Sequence, residues 1–183
     1  MGLTTRTVTA CIQCRIGWPV DGEATCTDAT HEHRDFEVHR HRTPVSLPDG
    51  TVVVAVSFDE DDPYGRVGDD GPAPDHGVYL DARWATPPWS HVHVDWPDFG
   101  LPADADAFGA VLSDVLARAR RGERVELGCL GAHGRTGTAL ACLAIACGTD
   151  PAEAVAWVRS TYCSKAIETP AQEAFVAAQP SRR

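Results

Sequence analysis

The sequence predicts an α/β fold: a central, largely parallel sheet flanked by helices, preceded by a short Cys/His-rich segment. Three observations carry that expectation. Short β-branched or alternating runs are interleaved with amphipathic helical periods, the pattern of strands joined by crossover helices. The 183 residues are enough for one sizeable core. A composition of 43% apolar and 23% charged residues is that of a globular domain. The division falls near residue 43, with a segment over 1–43 and the main domain over 44–183.

The first segment holds Cys11, Cys14 and Cys26 with His31, His33, His39 and His41 in a polar setting of little periodicity. It lacks the apolar residues for a core of its own, so it needs a staple or a neighbour. After the turn Pro48-Asp49-Gly50, the run TVVVAVSF over 51–58 reads as a buried strand. Residues 59–77 carry seven acids, three prolines and four glycines, the composition of a long solvated loop. Short strands follow over 77–80 and 91–94.

The pattern then turns helical. Between 104 and 121, Phe108, Val111, Leu112, Val115 and Ala119 form one apolar stripe, and Gly122 is placed to end the helix. A brief strand over 125–127 leads through a glycine-rich turn to an apolar helix over 135–147, stopped by Gly148. Asp150-Pro151-Ala152-Glu153 supplies an N-cap, a proline at the first helical position and a capping glutamate for a helix to about residue 160. Thr169-Pro170-Ala171-Gln172 repeats that signature for a final helix.

Charge narrows the function classes. With 26 acidic against 16 basic side chains, the formal charge of -10 repels nucleic acid and anionic membrane, so neither is an expected partner. Lys165 is the sole lysine. The start of the chain has no apolar signal region, and the longest apolar run, over 139–147, falls well short of the roughly 20 residues that span a bilayer. The expected location is cytoplasmic. Seven cysteines in such a chain point to free thiols, metal ligands or a nucleophile rather than a disulfide framework.

The chemistry concentrates in VELGCLGAHGRTGT over 125–138. Cys129 closes a strand and Arg135 opens a helix, with Leu130, Gly131, Ala132, His133 and Gly134 between them. Such a loop can curl around a phosphate: glycines let backbone N–H groups turn inward, and the helix N-terminus adds a positive field. Arg135 adds a guanidinium fork for two phosphate oxygens. The same field is expected to hold the Cys129 thiol down toward thiolate. The spacing alone is common in a chain with seven cysteines and 15 arginines; the strand–loop–helix context gives it weight.

Upstream, Trp96-Pro97-Asp98-Phe99-Gly100 lies 31 residues before the cysteine, counting from Asp98. Together the two elements resemble the cysteine-dependent protein tyrosine phosphatase superfamily, with its C-x5-R phosphate loop followed by Thr-Gly and its mobile WPD loop. The resemblance covers about residues 50 to 178. It implies that Cys129 attacks phosphorus, that Arg135 and the loop over 130–135 hold the phosphoryl oxygens, and that Asp98 acts as general acid and then base. Thr136 would steady the departing thiolate. Ala166-Ile167-Glu168-Thr169-Pro170-Ala171-Gln172 is similar to the family's Q-loop, in which a glutamine positions the hydrolytic water. Gln172 is equally explained as the third residue of a capping box.

The sequence departs from the family at Gly128, where histidine is usual, at Ala132, where glycine is usual, and at His133. No counterpart of the larger members' tyrosine-recognition segment is present, and the domain is nearer the size of the dual-specificity group. A phosphocysteine route calls for no cofactor in catalysis. A structural zinc is a separate expectation, held by Cys11, Cys14, Cys26 and His31, with His33, His39 and His41 as alternates. The leading expectation is a phosphatase acting on a phosphorylated protein, phosphotyrosine above all, or on a small phosphomonoester. The alternatives are a phosphate-binding module without turnover, and a phosphatase of phosphoinositides or small metabolites.

Overall fold

The computed structural model describes residues 5–11, 30, 33–39, 42–57, 72–81 and 86–181, with the backbone alone for 5–11 and 33–39. Two compact units make up the chain, Met1–Arg40 and His41–Arg183. In the first, β1 (Thr5–Cys11) pairs antiparallel with β2 (His33–His39), Thr5 opposite His39 and Cys11 opposite His33. This pair was not foreseen. The two strands are far apart in sequence, so no tight-turn signal joins them. Of the expected zinc ligands, Cys14, Cys26 and His31 lie outside the described residues, and Cys11 is the last residue of β1. Among the described residues no His, Cys, Asp or Glu cluster is arranged to hold a metal.

Among the described residues the second unit has five strands: β3 (Arg42–Ser46), β4 (Val52–Ser57), β5 (His76–Tyr79), β6 (His91–His93) and β7 (Val125–Cys129). Their order is β3-β4-β7-β5-β6, parallel throughout except for β3, which runs antiparallel to β4. The sheet is therefore largely parallel, as the alternation of strands and helices predicts. The unforeseen β3 is an edge strand containing Pro44, which the edge tolerates because one side of the strand needs no N–H donor. Of the acidic loop expected over 59–77, residues 59–71 lie outside the described residues.

Among the described residues there are four helices, and three of them start at a side-chain cap. Asp104 accepts the Ala107 amide at 2.9 Å and starts α1 (Ala105–Arg120). After α2 (Gly134–Ala146), Asp150 accepts the Ala152 amide at 2.8 Å and starts α3 (Pro151–Thr161). Thr169 accepts the Gln172 amide at 3.2 Å and starts α4 (Pro170–Ala177). No described helix is long and apolar enough to cross a membrane.

The core shows the two periods that built it. Val53 and Ala55, Val78 and Leu80, and Val125, Leu127 and Cys129 alternate along β4, β5 and β7 onto one buried face. Phe108, Leu112, Val115 and Leu116 of α1 join that cluster with residues of α2, α3 and α4. The opposite face carries Val56 and Tyr79, whose hydroxyl donates to Glu126 at 2.7 Å. Helix α2 is buried on all sides from Gly134 to Ile145, so it is the central helix. Its N-terminus opens at the carboxyl end of β7, the edge at which open α/β sheets bind ligands.

Candidate active site

Strand β7 delivers Cys129 to this edge, and four residues turn the chain back into α2. Every residue from Cys129 to Arg135 is buried except the half-buried Gly131. His133 is the N-cap of α2 but makes no side-chain cap, so the helix's first N–H groups are left for other acceptors. Ala132 takes the left-handed conformation, φ 53°, at the position where the sequence lacks the usual glycine. An alanine there costs about 1 kcal/mol. The Tyr162 hydroxyl donates to its carbonyl at 2.8 Å and holds the turn.

The Thr136 hydroxyl donates to Cys129 Sγ at 3.1 Å. Arg135 is 3% exposed; its Nη1 donates to the Trp96 carbonyl at 3.1 Å, and its Nη2 lies 3.0 Å from both Asp81 Oδ2 and Asp98 Oδ1. One guanidinium thus ties the phosphate-type loop to the end of β5 and to the loop before α1. That loop turns tightly: the Gly100 amide donates to the Pro97 carbonyl at 3.0 Å, Phe99 sits at φ 57°, and Trp96 Nε1 donates to the Gly100 carbonyl at 2.8 Å. The structure so brings Cys129, Arg135, Thr136 and Asp98 into one cluster.

Burial pushes the Cys129 thiol up, against the opposing pull of Arg135 and of the Thr136 hydroxyl and amide. The sequence suggested the reverse direction. The difference has a physical cause: the thiol is enclosed, and the cost of burying a thiolate outweighs the pull of Arg135 and Thr136, while the nearby Glu168 carboxylate adds to the rise.

No family model matches the chain. Two uncharacterized proteins of Methanocaldococcus jannaschii are 35% and 36% identical to it over 85 and 86 residues, 46% of this chain in each case. The chain spans about half the length of the curated relatives it matches, aligning with 56% and 52% of them. Solved structures align more broadly. Tk-PTP in its active form covers 72% of this chain and 92% of its own, with a TM-score of 0.57 and 24% identity. Kinase associated phosphatase, carrying serine for its catalytic cysteine, covers 75% and 92% with a TM-score of 0.58 and 15% identity. A protein tyrosine phosphatase of Trypanosoma brucei covers 74% and 70% with a TM-score of 0.53 and 16% identity. The chain has the protein tyrosine phosphatase fold.

Within the protein tyrosine phosphatase fold, the sequence departures gain reasons. Gly128 stands opposite Val56 of β4 and Tyr79 of β5, and a Cβ on it would lie 2.0 Å from the Val56 carbonyl oxygen. Histidine cannot enter without moving the sheet. His133 is buried, with Nδ1 3.4 Å from Cys163 Sγ, rather than facing solvent. Gln172 is fully buried: its Nε2 donates to the Gly100 carbonyl at 3.2 Å and its Oε1 accepts the Glu168 amide at 3.0 Å. Its side chain braces the Asp98 loop against the start of α4.

Two site residues escaped the sequence reading. Asp81, 4% exposed, had no motif to mark it. Glu168 lies inside the segment 166–172, where the resemblance points to Gln172 alone. Glu168 keeps solvent-exposed surface, yet its carboxylate is crowded against Gly134 at the start of α2. Burial and the nearby Asp98 charge push its pKa up to about 7.

Proposed function

We propose that the chain is a cysteine phosphatase that hydrolyses phosphomonoesters through a phosphocysteine intermediate, with protein phosphotyrosine as the foremost substrate class. The observation that supports this most is the double engagement around the loop: Thr136 bonds the Cys129 sulfur while Arg135 reaches the Asp98 carboxylate. Nucleophile, anion clamp and acid belong to one connected group, the arrangement that nucleophilic catalysis with a departing oxygen needs.

In this reading the phosphoryl oxygens take the guanidinium fork and loop amides, competing with Asp98 for Arg135. The Cys129 thiolate donates an electron pair to phosphorus, and the bond from phosphorus to the ester oxygen breaks. The Asp98 carboxyl gives its proton to that leaving oxygen. Water then attacks the phosphocysteine, Asp98 takes its proton, and sulfur leaves as thiolate steadied by the Thr136 hydroxyl. Release of inorganic phosphate returns the starting state. No step draws on a cofactor.

A second reading has its own support. The upward push on the Cys129 thiol favours a module that holds a phosphoryl group without turnover. Hydrolysis of p-nitrophenyl phosphate decides between them: the enzyme reading expects vanadate-sensitive turnover that Cys129→Ser abolishes, and tungstate binding without turnover favours the module.

A further inference from the structure

Glu168 occupies a position that its exposure disguises. Its carboxylate packs on the first residue of α2 so closely that a Cβ on Gly134 would lie 2.3 Å from Glu168 Oε2. The Gly134 N–H attracts it and favours its ionised form. That amide is one of the donors which the phosphate loop and the helix N-terminus offer to an anion. A glutamate carboxylate and a phosphoryl group therefore seek the same donor.

The main chain holds Glu168 in place firmly. The preceding residue, Ile167, sits at φ 64°, a conformation foreign to β-branched residues and kept only where surroundings dictate it. Four bonds dictate it here. Arg159 donates to the Ala166 and Ile167 carbonyls at 3.0 and 2.9 Å, the Ile167 amide donates to the His133 carbonyl at 3.3 Å, and Gln172 accepts the Glu168 amide at 3.0 Å. A side chain on a merely exposed loop needs no such scaffolding.

Building on the phosphatase reading, we infer that Glu168 sets which protonation state of the site accepts a phosphoryl group. With a neutral carboxyl the Gly134 amide and the field of α2 serve the oxyanion; an ionised carboxylate claims both and repels it. The groups facing Glu168 are Asp98 from the loop before α1, Arg135 of α2 and Cys129 at the end of β7, with Asp81 beyond Arg135. Asp98 repels the ionised form and Arg135 favours it. Since Glu168 titrates near neutrality, the gate opens on the acid side and closes as pH rises through about 7.

The test avoids turnover, so that it stays separate from the phosphatase reading. Tungstate, a dianion between pH 6 and 8, is titrated calorimetrically into Cys129→Ser, which removes the thiol's own titration, and into Cys129→Ser/Glu168→Gln. The expected result is about a tenfold loss of affinity from pH 6 to 8 in the first and less than about twofold in the second. Equal pH dependence in both overturns the inference. No tungstate binding in either protein at either pH overturns the phosphate site itself, and the gate with it. A carboxyl NMR titration of Glu168 in the Cys129→Ser protein covers the case of a glutamine variant that folds poorly. Linkage requires bound tungstate to raise the Glu168 midpoint; an unmoved midpoint contradicts the proposal.

Discussion

Cysteine, arginine and aspartate meet at both ends of α2, and the two clusters differ in enclosure and in the end of the helix they face. At the N-terminal end Cys129 faces Arg135, itself 3% exposed and flanked by Asp81 and Asp98. At the other, Cys147 is the C-cap, Arg120 lies 3.7 Å from its sulfur, and Asp49 lies 2.7 Å from Arg120. The residue types are the same. What differs is the direction of the helix, whose N-terminus favours anions and whose C-terminus disfavours them. Enclosure differs as well: the Arg120 side chain is 48% exposed, so water does for it what protein does for Arg135. The Cys147 thiol is pushed up to about 11 by burial and by Asp49, against the pull of Arg120. Placement on the fold, more than composition, separates the two clusters.

That contrast breaks if variants at the two ends behave alike. The largest effect is expected from Cys129→Ser, which should lower turnover of p-nitrophenyl phosphate by at least about 10³-fold, with Arg135→Lys losing about 10²-fold. Cys147→Ser and Arg120→Lys should stay within about twofold of the parent in the same assay. Next comes Asp98→Asn, expected to cost about 10²-fold with phenyl phosphate and far less with p-nitrophenyl phosphate, whose leaving group needs little protonation. Equal losses on both substrates remove Asp98 from the acid role.

Smaller effects sharpen the picture of the loop. Gly128→Ala should lower unfolding free energy by about 1–3 kcal/mol in urea, because its Cβ meets the Val56 carbonyl. Ala132→Gly should raise it by up to about 1 kcal/mol by relieving the left-handed alanine. Glu168 is tested through the pH dependence of stability. Its carboxyl keeps its proton up to about pH 7 when folded and only to about 4.5 when unfolded, so its contribution is fully favourable below the lower value and fades as pH rises through the upper. Glu168→Gln should flatten that decline in a series of melting curves between pH 5 and 8.

Much of this architecture was legible in the sequence because local signals and global fold agree. Asp104, Asp150 and Thr169 cap the helices their spacing announces, and the β-branched run after Gly50 forms β4. Cys129, Arg135, Thr136 and Asp98 were legible because a short loop and one proline-bearing turn carry them. The unforeseen parts depend on distant partners. Strand β3 is polar and holds Pro44, so only its pairing with β4 defines it. Asp81 matters through Arg135, 54 residues away in sequence, and the Glu168 carboxylate through Gly134. The direction of the Cys129 shift differs from the expectation because spacing shows the arginine but not how completely the fold encloses the sulfur.

The most direct measurement is rapid acid quenching of the protein during turnover of p-nitrophenyl phosphate, followed by mass spectrometry of its peptides. The expected result is one added phosphoryl group on the peptide containing Cys129, accumulating further in Asp98→Asn. Turnover with that peptide unmodified, or with the phosphoryl group on another residue, would contradict a sulfur nucleophile at the head of α2.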